Sequence, residues 1–475
     1  MDHSETNASA LKLYALRVEG LNFYSVIDDT HDLSAIAGGS RLLEEVPRRV
    51  KNILDGALRV VEIQRASSAG VFAFLALPAR MPSILADIRS ELGRGDLKHL
   101  TVGVQAIEIQ GNVRSSDDSS VRRSISMHDL ARLQAAIRYE QMSAPSIAIP
   151  STAQDCYLPC EKDGFRPAVR GKLSESVYCR REWGKRFRRR VAGIGTDAEI
   201  QAARTFEELT NYPENPLWHH RLAVISIDGN HFGETIRESC KDGEDLWQFS
   251  KGLTDLRDHF WQQLIGDWSA DHTLSRYFSD EIPDQADKNS STMRVLRVQR
   301  LVTAGDDFVY LAPAWLAWDF LERFFAKPWV VSVLSRTGER AVPLTFRAGV
   351  VICHHNAPIH RVRILAHELG ELAKKETLGA AKSLANPIAY EVLKSFDLIG
   401  PRLEEYRQSR VRNRIPGPAL LLEGAELKNT RQRLEGLSEE LPSSRAKDPD
   451  RWLATWSHQE KANAFHLSQW RDFVV

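Results

Sequence analysis

Long apolar runs are what this chain most plainly lacks. No stretch approaches the roughly 20 consecutive apolar residues that a membrane-spanning helix needs. Cysteine is scarce, five in 475 residues, too few for a disulfide framework. Excess charge of either sign is absent: 63 basic and 63 acidic side chains give a formal net charge of zero. Bulk charge therefore selects no partner, and local clustering has to carry that argument. The opening Met1-Asp2-His3-Ser4-Glu5 is acidic and polar, without the basic and apolar regions of a secretory signal. Together these absences predict a cytoplasmic protein with no membrane partner. What is present, 43% apolar and 27% charged residues, is ordinary for globular domains, and the length suits two to four of them.

The chain follows one script twice. From Leu11 the pattern predicts a strand to Glu19, a helix over Leu42–Leu54, and a hairpin of Leu58–Gln64 with Val71–Leu75 turning at Ser67-Ser68-Ala69-Gly70. A helix at Met81–Leu92, a strand at Leu100–Ile107 and a helix with Leu130, Leu133 and Ile137 on one face complete this half. From Leu222 the same order returns. A strand to Ile227 precedes a long helix carrying Leu246, Phe249, Leu253, Leu256 and Phe260 at helical spacing. A hairpin of Val295–Val302 with Phe308–Leu311 turns at Gly305-Asp306-Asp307. A helix from Trp315 to Phe325, a buried strand Thr345–Cys353 and a helix striped by Val362, Leu365, Leu369 and Leu372 follow. Each half reads as βαββαβ with an added helix, a ferredoxin-like split βαβ unit.

The halves differ where carboxylates stand. Asp228 ends the first strand of the second half, after Ile227, and Asp306 and Asp307 sit in its hairpin turn. A Gly-Asp-Asp turn alone is weak evidence, since both residue types favour turns. Carboxylates converging from adjacent strands at a small-residue turn are nevertheless what a two-metal nucleotidyl-transfer site requires, its two Mg²⁺ or Mn²⁺ ions lying about 3.5–4 Å apart. At the matching places the first half has Glu19-Gly20-Leu21-Asn22 and Ser68-Ala69-Gly70. One half is therefore expected to be catalytic and the other a structural partner, packed as a pseudo-dimer with the site near their interface.

Four stretches then resemble a known family, the large polymerase-like subunit of type III CRISPR effector complexes. They are Asp28–Leu33 with Gly38–Leu43, Ser226–Gly233, Thr303–Asp307, and Ala348–His355 with Pro358 and Leu372-Ala373-Lys374. Order and spacing agree over roughly residues 11 to 400. That family has two palm domains, only the second with a Gly-Gly-Asp-Asp hairpin, and makes cyclic oligoadenylates from ATP. The resemblance implies an α+β chain of two ferredoxin-like palm domains of nucleotide-cyclase type, at residues 1–145 and 196–398, a Cys/Arg-rich insert at 146–195 and a helical region at 399–475. It implies Asp228, Ile227, Asp306 and Asp307 as metal ligands and Gly229, Asn230, His231, Phe232, Gly233, Gly305 and Lys374 as nucleotide contacts. Implied partners are ATP and, in an antiviral RNA-guided setting, RNA or other subunits, with an oligomer open. Ala304 stands where the family has glycine. No HD nuclease domain is expected, because the first palm begins by about residue 11 and His31-Asp32 and His128-Asp129 fall inside palm elements. A cyclic-dinucleotide synthase and a catalytically silent scaffold subunit are the alternatives.

The insert carries Cys156, Cys160 and Cys179, three thiols against the four ligands zinc prefers. Zinc and buried free thiols both remain open. It also carries a basic run that includes Arg166, Arg170, Lys172, Arg180, Arg181, Lys185, Arg186, Arg188, Arg189 and Arg190. A solvated face, a triphosphate grip and an RNA contact through Arg186, Arg188, Arg189 and Arg190 are its three readings. His354 and His355 are read as structural, Lys374 as closing its helix, and Trp452, Trp456 and Trp470 as packing the tail.

Overall fold

The computed structural model describes residues 11–21, 26–56, 58–66, 68–110, 117–143, 158–187, 200–212, 218–270, 277–280, 294–335, 338–378, 384–393, 403 and 421–440. In chain order the principal elements are β1 (Lys12–Leu21), α1 (Leu33–Asp55), β2 (Val60–Arg65), β3 (Ala69–Ala76), α2 (Met81–Leu92), β4 (Thr101–Glu108), α3 (Met127–Ser143) and α4 (Glu175–Arg186). They continue with β5 (Arg221–Gly229), α5 (Phe232–Ser239), α6 (Gly243–Ala270), β6 (Gln299–Ala304), β7 (Asp307–Pro313), α7 (Ala317–Ala326), β8 (Phe346–His354), α8 (Ile359–Leu378), β9 (Pro387–Val392) and β10 (Leu422–Glu423). The chain is α+β. Among the described residues no helix is long and apolar enough to cross a membrane.

Two compact units share the chain. One comprises Met1–Phe187, His231–His259 and Val330–Pro343; the other comprises Arg188–Asn230, Phe260–Trp329 and Leu344–Val475. The first holds a four-stranded sheet in the order β2-β3-β1-β4, and every pairing is antiparallel. The second holds a six-stranded sheet, β10-β9-β8-β5-β7-β6. Its β8-β5-β7-β6 portion repeats the first sheet's order and antiparallel sense, with β9 added parallel to β8. The duplication read from the sequence is therefore a repeat of strand order as well.

The reasons are local. β5 reads Leu-Ala-Val-Ile-Ser-Ile and is buried along almost its whole length, as expected of a strand covered on both faces. α1 starts nine residues earlier than the sequence suggests, because the Asp32 carboxylate accepts the Ala35 N–H at 2.9 Å and caps it. α4 packs directly on α1: a Cβ on Gly38 would lie 1.9 Å from the Arg180 carbonyl oxygen, and one on Gly184 would lie 2.0 Å from that of Ser34. Neither helix tolerates a side chain at this crossing.

One expected element splits. Val295–Val302 was expected as a single strand, yet Arg294–Leu296 pairs with Ile200–Ala202 and Phe278–Asp280 in a separate small sheet, and only β6 joins the main one. The break falls at Arg297, whose guanidinium donates to the Asn211 carbonyl at 2.5 Å. Burial of that side chain against a backbone acceptor outweighs strand continuity. α8 also runs four residues past Lys374, so that lysine lies within the helix rather than closing it.

Candidate functional site

The register of the second sheet assembles the site. β7 runs antiparallel to β5 with Phe308 opposite Ile227, so the next pair along places Asp307 beside Asp228. β7 also pairs Asp307 with Ala304 of β6, leaving Gly305 and Asp306 as the turn. Gly305 has φ of +65° with open space where a Cβ would be, a left-handed conformation that glycine adopts freely. On the other side of β5, Arg347 of β8 stands opposite Asp228.

Burial and like charge act together here. Asp307 is pushed up to about 8, first by burial, then by the Asp228 charge, a hydrogen bond shared with Asp228 and the Asp306 charge. Asp306 is pushed up to about 6 by burial and by Asp228. The Arg347 guanidinium works in the opposite direction on both. It pairs with Asp228 and with Glu371 of α8 and donates to the Gly229 carbonyl at 3.0 Å. Burial raises Glu371, but its hydrogen bond and charge pairing with Arg347 leave it below the usual range.

Three aspartates thus share one buried space from two strands and a turn. Their donor chemistry, carboxylate oxygens with a backbone carbonyl alongside, fits a hard divalent cation, and a cation is what relieves such crowded negative charge. Placement is a separate matter: among the described residues no group of three His, Cys, Asp or Glu side chains stands disposed to hold a metal ion. Arg347 instead supplies the positive charge beside Asp228. Arg347 and Glu371 were missed in the sequence, although a lone arginine inside the apolar strand Phe346–His354 was a readable signal.

The nucleotide contacts suggested by the resemblance fall in different surroundings. Ile227 is core. Asn230 secures the strand end, its N–H donating to the Thr345 carbonyl at 2.8 Å and its side-chain amide to the Ala385 carbonyl at 3.1 Å. His231 is left-handed, with φ of +55°, and its ring lies 3.1 Å from Glu234. The Phe232 ring is buried against Phe249, so only its backbone is left for a ligand. Gly233 borders open space. Lys374 lies one turn along α8 from Glu371, close enough to lower that carboxyl further. The matching place in the first unit presents a single carboxylate, Glu19. Glu19 faces Ala69 and accepts hydrogen bonds from Arg17 at 2.9 Å and Arg138 at 2.8 Å.

The insert is less exposed as charge than its sequence suggests. Arg180 and Arg166 pair with Asp29, Arg181 with Asp32, Lys172 with Glu161 and Lys185 with Glu182. Arg186 lies over the Phe187 ring, and Arg188, Arg189 and Arg190 lie outside the described residues. Cys160 sits in an apolar cluster with Ala35 and Val177. The Cys179 thiol, against Asp96, is pushed up to about 11 by burial, which disfavours the thiolate that zinc requires. Cys156 is outside the described residues.

His354 and His355, at the far end of β8 from Arg347, cluster around His220, itself beside His219, in tilted and edge-on ring pairs with centres 3.5 to 6.0 Å apart.

No protein-family model matches the chain, and no curated protein does. Solved structures similar to it include several of Csm1. Csm1 from T. onnurineus aligns with a TM-score of 0.48 and 15% identity, over 88% of this chain and 56% of that one. The Csm1-Csm4 cassette in complex with cA4 aligns with a TM-score of 0.45 and 14% identity, over 90% and 62%. The Csm1-Csm4 subcomplex of the type III-A CRISPR-Csm interference complex aligns equally, at 0.45 and 14%, over 90% and 62%. The chain thus spans 56 to 62% of the length of these solved chains.

Proposed function

We propose that the protein is a nucleotidyl cyclase that joins ATP into cyclic oligoadenylates, with the second unit as a catalytic palm and the first as its silent counterpart. The observation that carries this reading is the meeting of Asp228, Asp306 and Asp307 at the tip of one sheet. The adenylate substrate comes from the sequence resemblance, and so does the pseudo-dimer of palms.

In the reaction a 3′-oxygen bonds to the α-phosphorus of a second ATP, the hydroxyl proton leaves, and the bond to pyrophosphate breaks. Two divalent ions, when held there, lower the pKa of the attacking hydroxyl and neutralise the leaving pyrophosphate. The chain's own part is to position. Asp228, Asp306 and Asp307 would hold the ions, while Arg347 and Glu371 fix Asp228 and the Gly229 carbonyl. The side-chain-free turn at Gly305 leaves room for a triphosphate. Lys374 adds a positive charge on the adjoining helix.

Replacing Asp228 with Ala tests the division of labour. It should reduce adenylate synthesis to background while the cooperative melt survives. Turnover that persists in Asp228→Ala would place the chemistry elsewhere.

A further inference from the structure

The first unit contains a cavity of about 760 Å³ that the proposed chemistry does not use. Its wall is one face of α4 with its end at Phe187, the turn running from Gly95 to His99, and Arg170. The volume lies within the roughly 300–1,000 Å³ of small-molecule sites.

Its charges sort into three groups, of which the first is the Asp96 carboxylate, 3.8 Å from the Cys179 thiol. Lys98 pairs with Glu175 at 2.8 Å and Lys185 with Glu182 at 3.1 Å, so these four side chains neutralise one another. Arg170 and Arg186 instead lie over aromatic rings. The Arg170 guanidinium is 5.8 Å from the centre of the Tyr178 ring, and that of Arg186 is 5.3 Å from the centre of Phe187. Tyr178 is 39% exposed, so part of its ring is open to a ligand. Phe187 is braced behind by Trp183, with ring centres 4.4 Å apart. His99 adds a buried ring nitrogen, Nε2, that has no hydrogen-bond partner among the described residues. Burial and the neighbouring Lys98 hold this imidazole neutral, so that nitrogen can accept or donate a single hydrogen bond.

We propose that this cavity binds a single nucleotide, its base stacked against the exposed ring of Tyr178 and its phosphate held by Arg170 and Arg186, with His99 hydrogen-bonding an edge of the base. Planar rings that every base can stack on, flanked by guanidinium groups that engage phosphate, are how proteins hold nucleotides without a dedicated motif. Two ring–guanidinium pairs in a cavity of this size match one nucleotide rather than a tracked strand. The site stands on residues of the first unit alone and does not depend on the catalytic reading.

Photolabelling the full chain with 8-azidoadenosine 5′-monophosphate, followed by peptide mapping, tests it. The label should enter the peptides between Arg170 and Phe187 and be competed by AMP. It should fall about tenfold or more in the Arg170→Ala, Arg186→Ala double variant, which loses two charge-assisted contacts, with an unchanged thermal melt. Tyr178→Ala, at an exposed position, should weaken labelling in the same peptides. Absence of label there, or labelling undiminished in both variants, overturns the proposal. So does competition by inorganic phosphate as effective as by AMP, which would mark an anion site only. Competition by a single-stranded oligonucleotide but not by AMP would mark an RNA surface, and also overturns it.

Discussion

At the scale of residues, the account turns on charges held close together. Asp307 stands at about 8 against an ordinary 3.8, so the folded chain keeps a proton that the unfolded chain has lost. The stability associated with that proton is present below the ordinary carboxylate range and is lost as pH rises toward 8. In chelator, Asp307→Asn should therefore melt at a higher temperature than the parent at pH 9 and at a similar one at pH 4. A lower melt at pH 9 would mean the carboxylate is needed for packing. Arg347 is the reverse case, a buried cation whose loss leaves Asp228 and Glu371 facing each other. Arg347→Leu should cost about 3–5 kcal/mol in chelator, the usual penalty for removing one partner of a buried pair. Millimolar Mg²⁺ should recover part of that loss if the three aspartates bind it, and a melt indifferent to Mg²⁺ contradicts the metal site. The clustered histidines titrate with the opposite sign. Burial lowers His220, His354 and His355 below their ordinary 6.5, with Arg221 acting the same way on His354 and Glu207 against it on His220 and His355. Stability present above 6.5 should fall as pH drops through it, and His355→Gln should lessen that fall.

At the scale of elements, the sequence was legible wherever periodicity decided the outcome. The stripe Val362, Leu365, Leu369 and Leu372 is buried in α8, and Leu130, Leu133 and Ile137 are buried in α3. The turn at Gly305-Asp306 was readable because residue types fix it. The split at Arg297 was not, since it depends on a carbonyl at Asn211 that is distant in sequence. The lone Arg347 in an apolar strand was a readable signal, but its partners were not, since a strand–strand register and a helix contact join it to Asp228 and Glu371. The pairing of Arg180 and Arg181 was not legible, because Asp29 and Asp32 lie some 150 residues upstream. The crossing of α1 and α4 was invisible too, although Gly38 lies in one of the stretches that carry the resemblance. Gly184→Ala forces a Cβ to 2.0 Å from the Ser34 carbonyl oxygen and should cost about 3 kcal/mol, the upper part of the usual range for overpacking. Chemical denaturation measures it, and a loss below about 0.5 kcal/mol would mean the helices part easily.

At the scale of the whole molecule, two sheets of one strand order carry unequal chemistry. In the first, Glu19 is held by Arg17 and Arg138 opposite Ala69, which under the proposed reading leaves it without a metal site. Asp228, Asp306 and Asp307 meet in the second, where the proposed reading puts the reaction of phosphates. Whether that inequality is catalytic is decided most directly by incubating the purified chain with labelled ATP, and separately with labelled GTP, in Mg²⁺ or Mn²⁺, and weighing the products by mass spectrometry. The account predicts pyrophosphate and 3′–5′-linked adenylates, cyclic ones among them, from ATP, and none from the Asp306→Asn, Asp307→Asn variant. Products from GTP alone, or no product from the parent with either metal and either nucleotide, would contradict it.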